Sequence, residues 1–320
     1  MAKNTDTSRL DSPLLSAHGI SLSYQEGKTR QEVLSNIELT VDKGEIIALL
    51  GPSGAGKSSL LRILAGLQAA CEGNVKIGDQ TLKGPHPRLG FVFQDPCLLP
   101  WLTLEENVRF GMNFKHQRKL SKAEIHARAA AAIQDVDLFS ARKRYPEELS
   151  GGMAQRTSLA RTLARRPEIL LLDEPFSALD EVTRRDMQAR LLSLSAKYNT
   201  AAILVTHDID EALIVADRIV LIGGQPSCLV GEWQTVKPTP STNPLGHTSN
   251  GSTAKTKCHP ITGETKLNSG SVAPTTSRQS PPLSVSFKEA IHNNRSLRQE
   301  ILSHLEALST RRRTSLAVAA

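Results

Sequence analysis

One stretch of the chain combines glycines, a lysine and three serines in a spacing that suits phosphate binding. It fits the pattern G-x-x-x-x-G-K-[ST]. Its glycines let backbone N–H groups turn inward around an anion, and the positive end of the next helix adds to the attraction. Lys57 then supplies a charge for the β and γ phosphates, and Ser58 supplies a hydroxyl for Mg²⁺. This phosphate loop consists of Gly51, Pro52, Ser53, Gly54, Ala55, Gly56, Lys57, Ser58 and Ser59.

Two adjacent acids, Asp173 and Glu174, end the continuous apolar run at residues 169–172. Such a run predicts a buried parallel strand, whose burial delivers both carboxylates to the edge of a sheet. Asp173 is suited to hold Mg²⁺ directly or through water, and Glu174 to polarise an attacking water as general base. Because acids often end strands, this interpretation depends on the phosphate loop upstream.

Three other polar side chains stand where predicted strands end. Gln94 follows the strand at residues 89–93 and is placed to face a ligand, although a surface glutamine would look the same. His207 follows the strand at residues 201–205 and is placed to bond the γ-phosphate or the attacking water, unless it is a structural histidine. Tyr24 ends the first strand and is either a stacking surface for a base or an ordinary edge-strand tyrosine.

A second anion site is predicted at Ser150, Gly151 and Gly152. Ser150 stands in an N-cap position, and the two glycines expose N–H groups at the start of a helix-compatible run over residues 154–165. An ordinary capped helix is the alternative.

The elements that must position these residues alternate strands with helices. The apolar run 46–50 predicts a buried strand before the phosphate loop, and residues 58–67 carry leucines and isoleucine at helical spacing. Alternating segments at 14–24 and 33–41 predict an antiparallel hairpin, whereas residues 95–166 show helical periods without strand signals. The predicted fold is α/β, a P-loop NTPase cassette with a mostly parallel sheet core, an antiparallel β subdomain and an inserted α-helical subdomain.

Composition narrows the class of protein. Most of the net charge of +7 lies in residues 231–320, which hold 11 Lys/Arg against 5 Asp/Glu, and aromatics make up only 4% of the chain. A nucleic-acid-binding domain usually carries its basic patch and stacking aromatics on the folded part, so no nucleic-acid partner is expected. The four cysteines are far apart, which favours reduced thiols in the cytosol. No apolar run reaches the ~20 residues of a membrane span, and we expect a soluble, unexported chain.

The sequence divides into four predicted segments. We expect a disordered N-terminus at 1–13, an ATPase domain at 14–233 with its helical subdomain at about 95–166, and a disordered linker at 234–286. The linker is rich in Ser, Thr, Pro, Gly, Asn and Lys, which cannot bury enough apolar surface to fold. Residues 287–320 are predicted to form an amphipathic helix and a basic end. Docking to an anionic membrane surface, a permease or the ATPase domain itself is one hypothesis for this segment, and a solvated extension without a function is the alternative.

Taken together, six stretches in this order resemble the Walker A, Q-loop, signature, Walker B, D-loop and H-loop motifs of ATP-binding cassette (ABC) ATPases. They are 51–58, Gln94, 149–153, 173–174, 177–180 and His207, within a resemblance that covers residues 14–233. The resemblance implies that Tyr24 stacks on adenine, that Gln94 contacts Mg²⁺ and supports catalysis, and that ATP is hydrolysed. It also implies a head-to-tail homodimer in which Ser150, Gly151 and Gly152 of one copy close on the ATP of the other. Met153 departs from the glutamine of many cassettes, without an expected loss of activity.

The stretch from Phe93 to Trp101, with Asn107 and Val108, is similar to the F-Q-x-x-x-L-L-P-W…N-V stretch of nitrate, sulfonate and taurine importer ATPases. This similarity implies two membrane permease subunits, an external substrate-binding protein and a peripheral place on the cytoplasmic side of the cell membrane. Aliphatic sulfonate is the expected cargo, with nitrate and taurine as alternatives. A soluble cassette that acts on ribosomes or nucleic acid is the rival, but such proteins usually carry two cassettes and lack the stretch 98–101.

Overall fold

A computed structural model describes residues 12–27, 29–114, 119–236 and 287–318 of the chain. The expectations for residues 1–11 and for nearly all of the linker fall outside these residues. Residues 12–236 and the C-terminal helices belong to one compact unit.

The described residues form ten strands, which join one sheet in the order β5-β4-β1-β2-β10-β9-β3-β8-β7-β6. The strands β9, β3, β8, β7 and β6 run parallel, whereas β5, β4, β1 and β2 pair antiparallel. The predicted parallel core and antiparallel β subdomain are therefore confirmed. The strands are β1 (Leu15–Glu26), β2 (Thr29–Val41), β3 (Ile46–Leu50), β4 (Glu72–Ile77), β5 (Gln80–Thr81), β6 (Leu89–Val92), β7 (Ile169–Asp173), β8 (Ala201–Val205), β9 (Arg218–Gly224) and β10 (Ser227–Gln234).

The parallel core places the chemistry-bearing residues at one edge. Every residue of β3, β7 and β8 is buried, as expected for strands covered by helices on both faces. In the register of these strands, Leu49 lies beside Val205, and Val205 lies beside Asp173. The carboxyl ends of the three strands thus meet, and the segments that follow them share one edge of the sheet.

Eight α-helices complete the described part of the chain. They are α1 (Lys57–Leu64), α2 (Leu104–Arg109), α3 (Lys122–Asp135), α4 (Gly151–Leu163), α5 (Glu181–Tyr198), α6 (Ile209–Val215), α7 (Phe287–Asn293) and α8 (Arg295–Val318). None of them, within the described residues, is long and apolar enough to cross a bilayer.

The inserted helical subdomain consists of α2, α3, α4 and two short 3-10 helices at 139–141 and 146–148. Capping boxes begin α2 at Thr103 and α3 at Ser121, each closed by a glutamate three residues later. Helix α2 ends at Arg109, because Phe110 leaves helical geometry and Gly111 has φ of 85°.

The two C-terminal helices pack against the sheet and α6. Ile301 is completely buried in an apolar cluster that includes Ile209 and Leu213 of α6. Arg298 Nε lies 2.5 Å from Asp210 Oδ1, and Trp233 Nε1 donates to Glu300 Oε1 at 2.9 Å. The segment is two helices separated at Asn294 rather than one, and the basic run 311–313 lies inside α8 rather than after a helix.

Candidate functional site

The phosphate loop turns directly from β3 into α1, and a side chain at either of two of its glycines would press on neighbouring atoms. A Cβ at Gly51 would strike the carbonyl oxygen of Ile222. Gly56 has φ of 83°, and a Cβ there would lie 2.8 Å from Val33 and 2.9 Å from Leu34. Gly56 is also the N-cap of α1 without any side-chain cap, so the first N–H groups of that helix remain available to an anion.

The ammonium group of Lys57 is held over this loop. Its Nζ donates to the carbonyl oxygens of Gly51 at 2.8 Å and Pro52 at 3.0 Å, which use two of its three protons. Burial lowers the pKa of Lys57, while the nearby carboxylates of Glu174 and Asp173 counteract that shift. The loop therefore holds a positive charge in a fixed place at the start of α1.

Ser58 and Asp173 meet across the sheet edge. Ser58 Oγ donates to Asp173 Oδ1 at 2.9 Å, which joins the first turn of α1 to the end of β7. Burial raises the pKa of Asp173, and the hydrogen bond from Ser58 lowers it. Both side chains offer oxygen atoms, the donor type that Mg²⁺ prefers. Among the described residues, no group of three or more His, Cys, Asp or Glu side chains forms a metal site by itself.

Glu174 follows β7, and its carboxylate is contacted by side chains that follow the two neighbouring strands, β6 and β8. Gln94 Nε2 donates to Glu174 Oε2 at 3.2 Å, and His207 Nδ1 lies 3.4 Å from Glu174 Oε1. Glu174 has φ of 46°, a left-handed conformation that costs a non-glycine residue about 1–2 kcal/mol. Its N–H bonds the carbonyl oxygen of Val205 at 3.0 Å, which holds this strained residue in place. The carboxylate is thus aimed by β6, β7 and β8 together.

Tyr24 lies beside the phosphate loop rather than away from it. Its hydroxyl is 3.3 Å from Ser59 Oγ and accepts from Gln68 Nε2 at 2.8 Å. Tyr24 is 45% exposed, so it is accessible from solvent.

The second predicted anion site is the N-terminus of α4. Ser150 is its N-cap and accepts from the N–H of Met153 at 3.3 Å. A Cβ at Gly151 would meet nothing within 4 Å, whereas one at Gly152 would lie 3.0 Å from Leu179 Cδ2. This turn therefore packs against the loop 177–180 and exposes its first residue.

Sequence reasoning missed the residues that hold these segments in place. Gln155 on α4 donates to the carbonyl oxygen of Phe93 at 3.2 Å, and Arg161 donates to those of Cys97 at 2.8 Å and Pro96 at 2.9 Å. Behind His207, the buried Thr206 and Glu211 bond each other at 2.5 Å. One signal was available, because Glu211 stands three residues after the N-cap Asp208, in capping-box spacing.

Comparison with known proteins identifies relatives across most of the folded part. The family profile described as ABC transporter matches residues 34–177. An aliphatic sulfonates import ATP-binding protein of Burkholderia lata is 46% identical over 194 residues, which is 61% of this chain and 68% of that protein. A taurine import ATP-binding protein of Pseudomonas aeruginosa is 46% identical over 216 residues, or 68% of this chain and 81% of its own.

A solved structure shares the fold. It is a dimeric ATP-binding cassette in a post-hydrolysis state, bound to ADP and phosphate, with 31% identity and a TM-score of 0.63. The match covers 69% of this chain and 98% of the solved one.

Proposed function

The chain belongs to the ABC transporter family as an ATP-hydrolysing import protein, and we propose that it drives uptake of an aliphatic sulfonate through separate membrane subunits. The observation that carries the proposed catalytic roles is the convergence of Gln94 and His207 on Glu174, next to the paired Ser58 and Asp173.

In the proposed roles, residues 51–59 bind the phosphates of ATP. The open N–H groups at the start of α1 and the ammonium of Lys57 face the β and γ phosphates. Tyr24, fixed next to Ser59 by its hydroxyl, stacks on the adenine ring.

Ser58, Asp173 and Gln94 are the proposed residues for Mg²⁺. The hydroxyl and the carboxylate already touch, and the Gln94 side chain stands beside the neighbouring acid. When bound, Mg²⁺ neutralises charge on the phosphate oxygens and orients them.

Glu174 is the proposed general base for hydrolysis. Its carboxylate accepts the proton of the attacking water, while Gln94 and His207, which contact its two oxygens, keep it oriented. The imidazole of His207 is 69% exposed, so it is free to bond the γ-phosphate as well.

The site is completed by a second copy in this proposal. Ser150, Gly151 and Gly152 of one copy close on the ATP held by residues 51–59 of the other, because an exposed helix N-terminus attracts the γ-phosphate. The dimeric state of the related cassette supports this arrangement.

The proposed roles are tested by phosphate release from Glu174→Gln and from a matched control, Glu168→Gln. Glu168 stands just before the other end of β7 and pairs with Arg88 on the surface. We expect Glu174→Gln to lose at least ~100-fold in kcat and to keep its affinity for ATP, and Glu168→Gln to match the wild type. Turnover of Glu174→Gln within about threefold of the wild type would refute the role of Glu174.

The proposed complex contains two permease subunits and an external substrate-binding protein, with this chain on the cytoplasmic face of the membrane. Support comes from the segment 98–101, which Asn107 holds by bonds to the carbonyl oxygens of Leu99 and Leu102 at 3.1 Å and 2.9 Å. Trp101 is 69% exposed on this braced segment, as expected of an anchor for a membrane partner.

The cargo is proposed to be an organic sulfonate, because two relatives are named for aliphatic sulfonates and taurine. A host that lacks the gene for this chain should fail to grow with an alkanesulfonate as sole sulfur source, and the wild-type gene should restore growth. Loss of growth on nitrate instead would favour the nitrate alternative. Unimpaired growth with either nutrient would contradict the proposed cargo.

A further inference from the structure

A buried chain of hydrogen bonds lies directly behind His207, in a part of the molecule to which the proposed function assigns no role. Thr206 Oγ1 accepts the N–H of Asp208 at 3.1 Å and donates to Glu211 Oε2 at 2.5 Å. Gln188 Nε2 of α5 donates to the other carboxylate oxygen of Glu211 at 3.3 Å. All three side chains are buried, with 2% of Thr206, 6% of Glu211 and 2% of Gln188 exposed.

We propose that Glu211 is a positioning residue for His207, acting through the hydroxyl of Thr206. This inference rests on the proposed catalytic role of His207. Thr206 and Asp208 flank His207 in the chain, and the hydroxyl of Thr206 bonds the N–H of Asp208. The carboxylate of Glu211 fixes the direction of that hydroxyl, so the backbone on both sides of His207 is held.

The hydrogen bonds at the start of α6 differ from those of an ordinary capping box, because the hydroxyl of Thr206 stands between the glutamate and the backbone. Asp208 is the N-cap of α6 and accepts from the N–H groups of Asp210 at 2.9 Å and Glu211 at 3.2 Å. In a capping box the N3 glutamate would bond the N-cap N–H directly. Here the hydroxyl of Thr206 accepts from that N–H and donates to Glu211. Thr206, the residue before His207, is therefore part of the cap.

Packing holds α6, the helix that carries Glu211, in place. Ile209, Ala212 and Leu213 anchor α6 in the apolar cluster that contains Ile301. Gln188 of α5, the helix that Asp180 caps, adds a second hydrogen bond to this carboxylate. A cavity of about 80 Å³ is lined by Glu211, Glu174, Thr206 and His207, so a loosened side chain would have room to move.

Glu211→Gln and Glu211→Ala separate this role from simple packing. Gln188 Oε1 has no hydrogen-bond partner, so a turned Gln188 amide can accept from the new amide while Thr206 keeps its acceptor. We therefore expect Glu211→Gln to stay within about threefold of wild-type kcat, and Glu211→Ala to lose about tenfold or more with the KM for ATP within about twofold.

The matched control is Glu45→Ala. Glu45 is another largely buried carboxylate, bonded by Arg218 at 2.8 Å, but it precedes β3 at the end of the sheet away from the site. This variant is expected to keep wild-type kcat at a temperature where it is folded.

A double-mutant cycle with His207→Ala tests whether Glu211 acts through His207. In the His207→Ala background, Glu211→Ala should reduce kcat by less than about twofold, since the group that it positions is gone. An undiminished tenfold loss in that background, or wild-type kcat for Glu211→Ala alone, would overturn the proposal.

Hydrogen exchange provides a readout that needs no ATP. Amides at 206–211 should exchange at least about tenfold faster in Glu211→Ala and at the wild-type rate in Glu45→Ala. If His207→Ala keeps wild-type turnover, the proposed function fails at His207. Faster exchange in Glu211→Ala would then still support Glu211 as the residue that orders this segment, and unchanged exchange would overturn it.

Discussion

Ile301→Ala should destabilise the whole folded unit, although this residue lies beyond the segment 237–286. Ile301 is completely buried among Leu50, Ile209, Leu213 and other apolar residues. The substitution removes three carbon atoms, worth ~2.4 kcal/mol at about 0.8 kcal/mol for each buried methylene. The cavity left behind adds to this, so we expect a loss of about 3 kcal/mol within the ~2–5 kcal/mol range of such substitutions.

Thermal and urea unfolding of the full chain measure this loss. For a domain of this size a loss of ~3 kcal/mol lowers Tm by ~6–12 °C. Ser303→Ala is the control, because Ser303 lies on the same helix and is exposed. We expect that control to change the free energy of unfolding by less than about 0.5 kcal/mol. Equal stability of the two variants, or unchanged stability after deletion of residues 287–320, would refute the packing of α8 on the sheet.

Three other outcomes follow from the structure. Lys57→Ala should lose at least ~10-fold in affinity for a fluorescent ATP analogue, because the substitution removes the ammonium held over the phosphate loop. Wild-type affinity in this variant would exclude Lys57 as the phosphate ligand. Trp101→Ala should abolish the proposed sulfonate uptake in cells, while the ATPase activity of the purified protein stays within about twofold of the wild type. Normal uptake would exclude Trp101 as the permease anchor. Glu211→Gln should gain stability relative to the wild type as pH rises above about 4.5, as measured by urea unfolding at several pH values.

The sign of that pH effect follows from burial. Burial raises the pKa of Glu211, and the carboxylate of Asp208 acts in the same direction, while the Thr206 bond, Arg184 and the Gln188 bond lower it. The folded state therefore holds this proton more tightly than the unfolded state does. Stability contributed by the protonated group is present below the ordinary pKa and is lost as pH rises through the folded value, a loss that the amide variant does not show. A difference between the two proteins that is independent of pH would contradict the raised pKa.

The sequence was sufficient to predict the core of the fold because its signals are local. The apolar runs at 46–50, 169–172 and 201–205 have the composition of buried parallel strands, and each is followed at once by the polar residues of the site. The rule that ligands bind at the carboxyl ends of such strands then places those residues together.

The remaining features depend on contacts between distant parts of the chain. Nothing local indicates that Gln94 and His207 lie on the two oxygens of Glu174, since strand order decides it. Helix α8 begins about 80 residues after the end of α6, the helix against which it packs. The apolar stripe of α8 therefore indicated only that some surface covers this helix. Gln155 and Gln188 make hydrogen bonds to distant segments. Each is a single polar residue within a helix, and no sequence pattern marks such a residue as a hydrogen-bond partner.

In the proposed dimer, two copies of this chain enclose ATP between residues 51–59 of one and 150–152 of the other. The most direct measurement is the mass of Glu174→Gln by light scattering after gel filtration with Mg²⁺ and ATP. We predict a dimer with ATP, a monomer with ADP, and a monomer with ATP when Ser150→Arg is added, because the larger side chain obstructs the α4 N-terminus without touching the phosphate loop. A monomer with ATP, or a dimer that Ser150→Arg leaves intact, would contradict the claim.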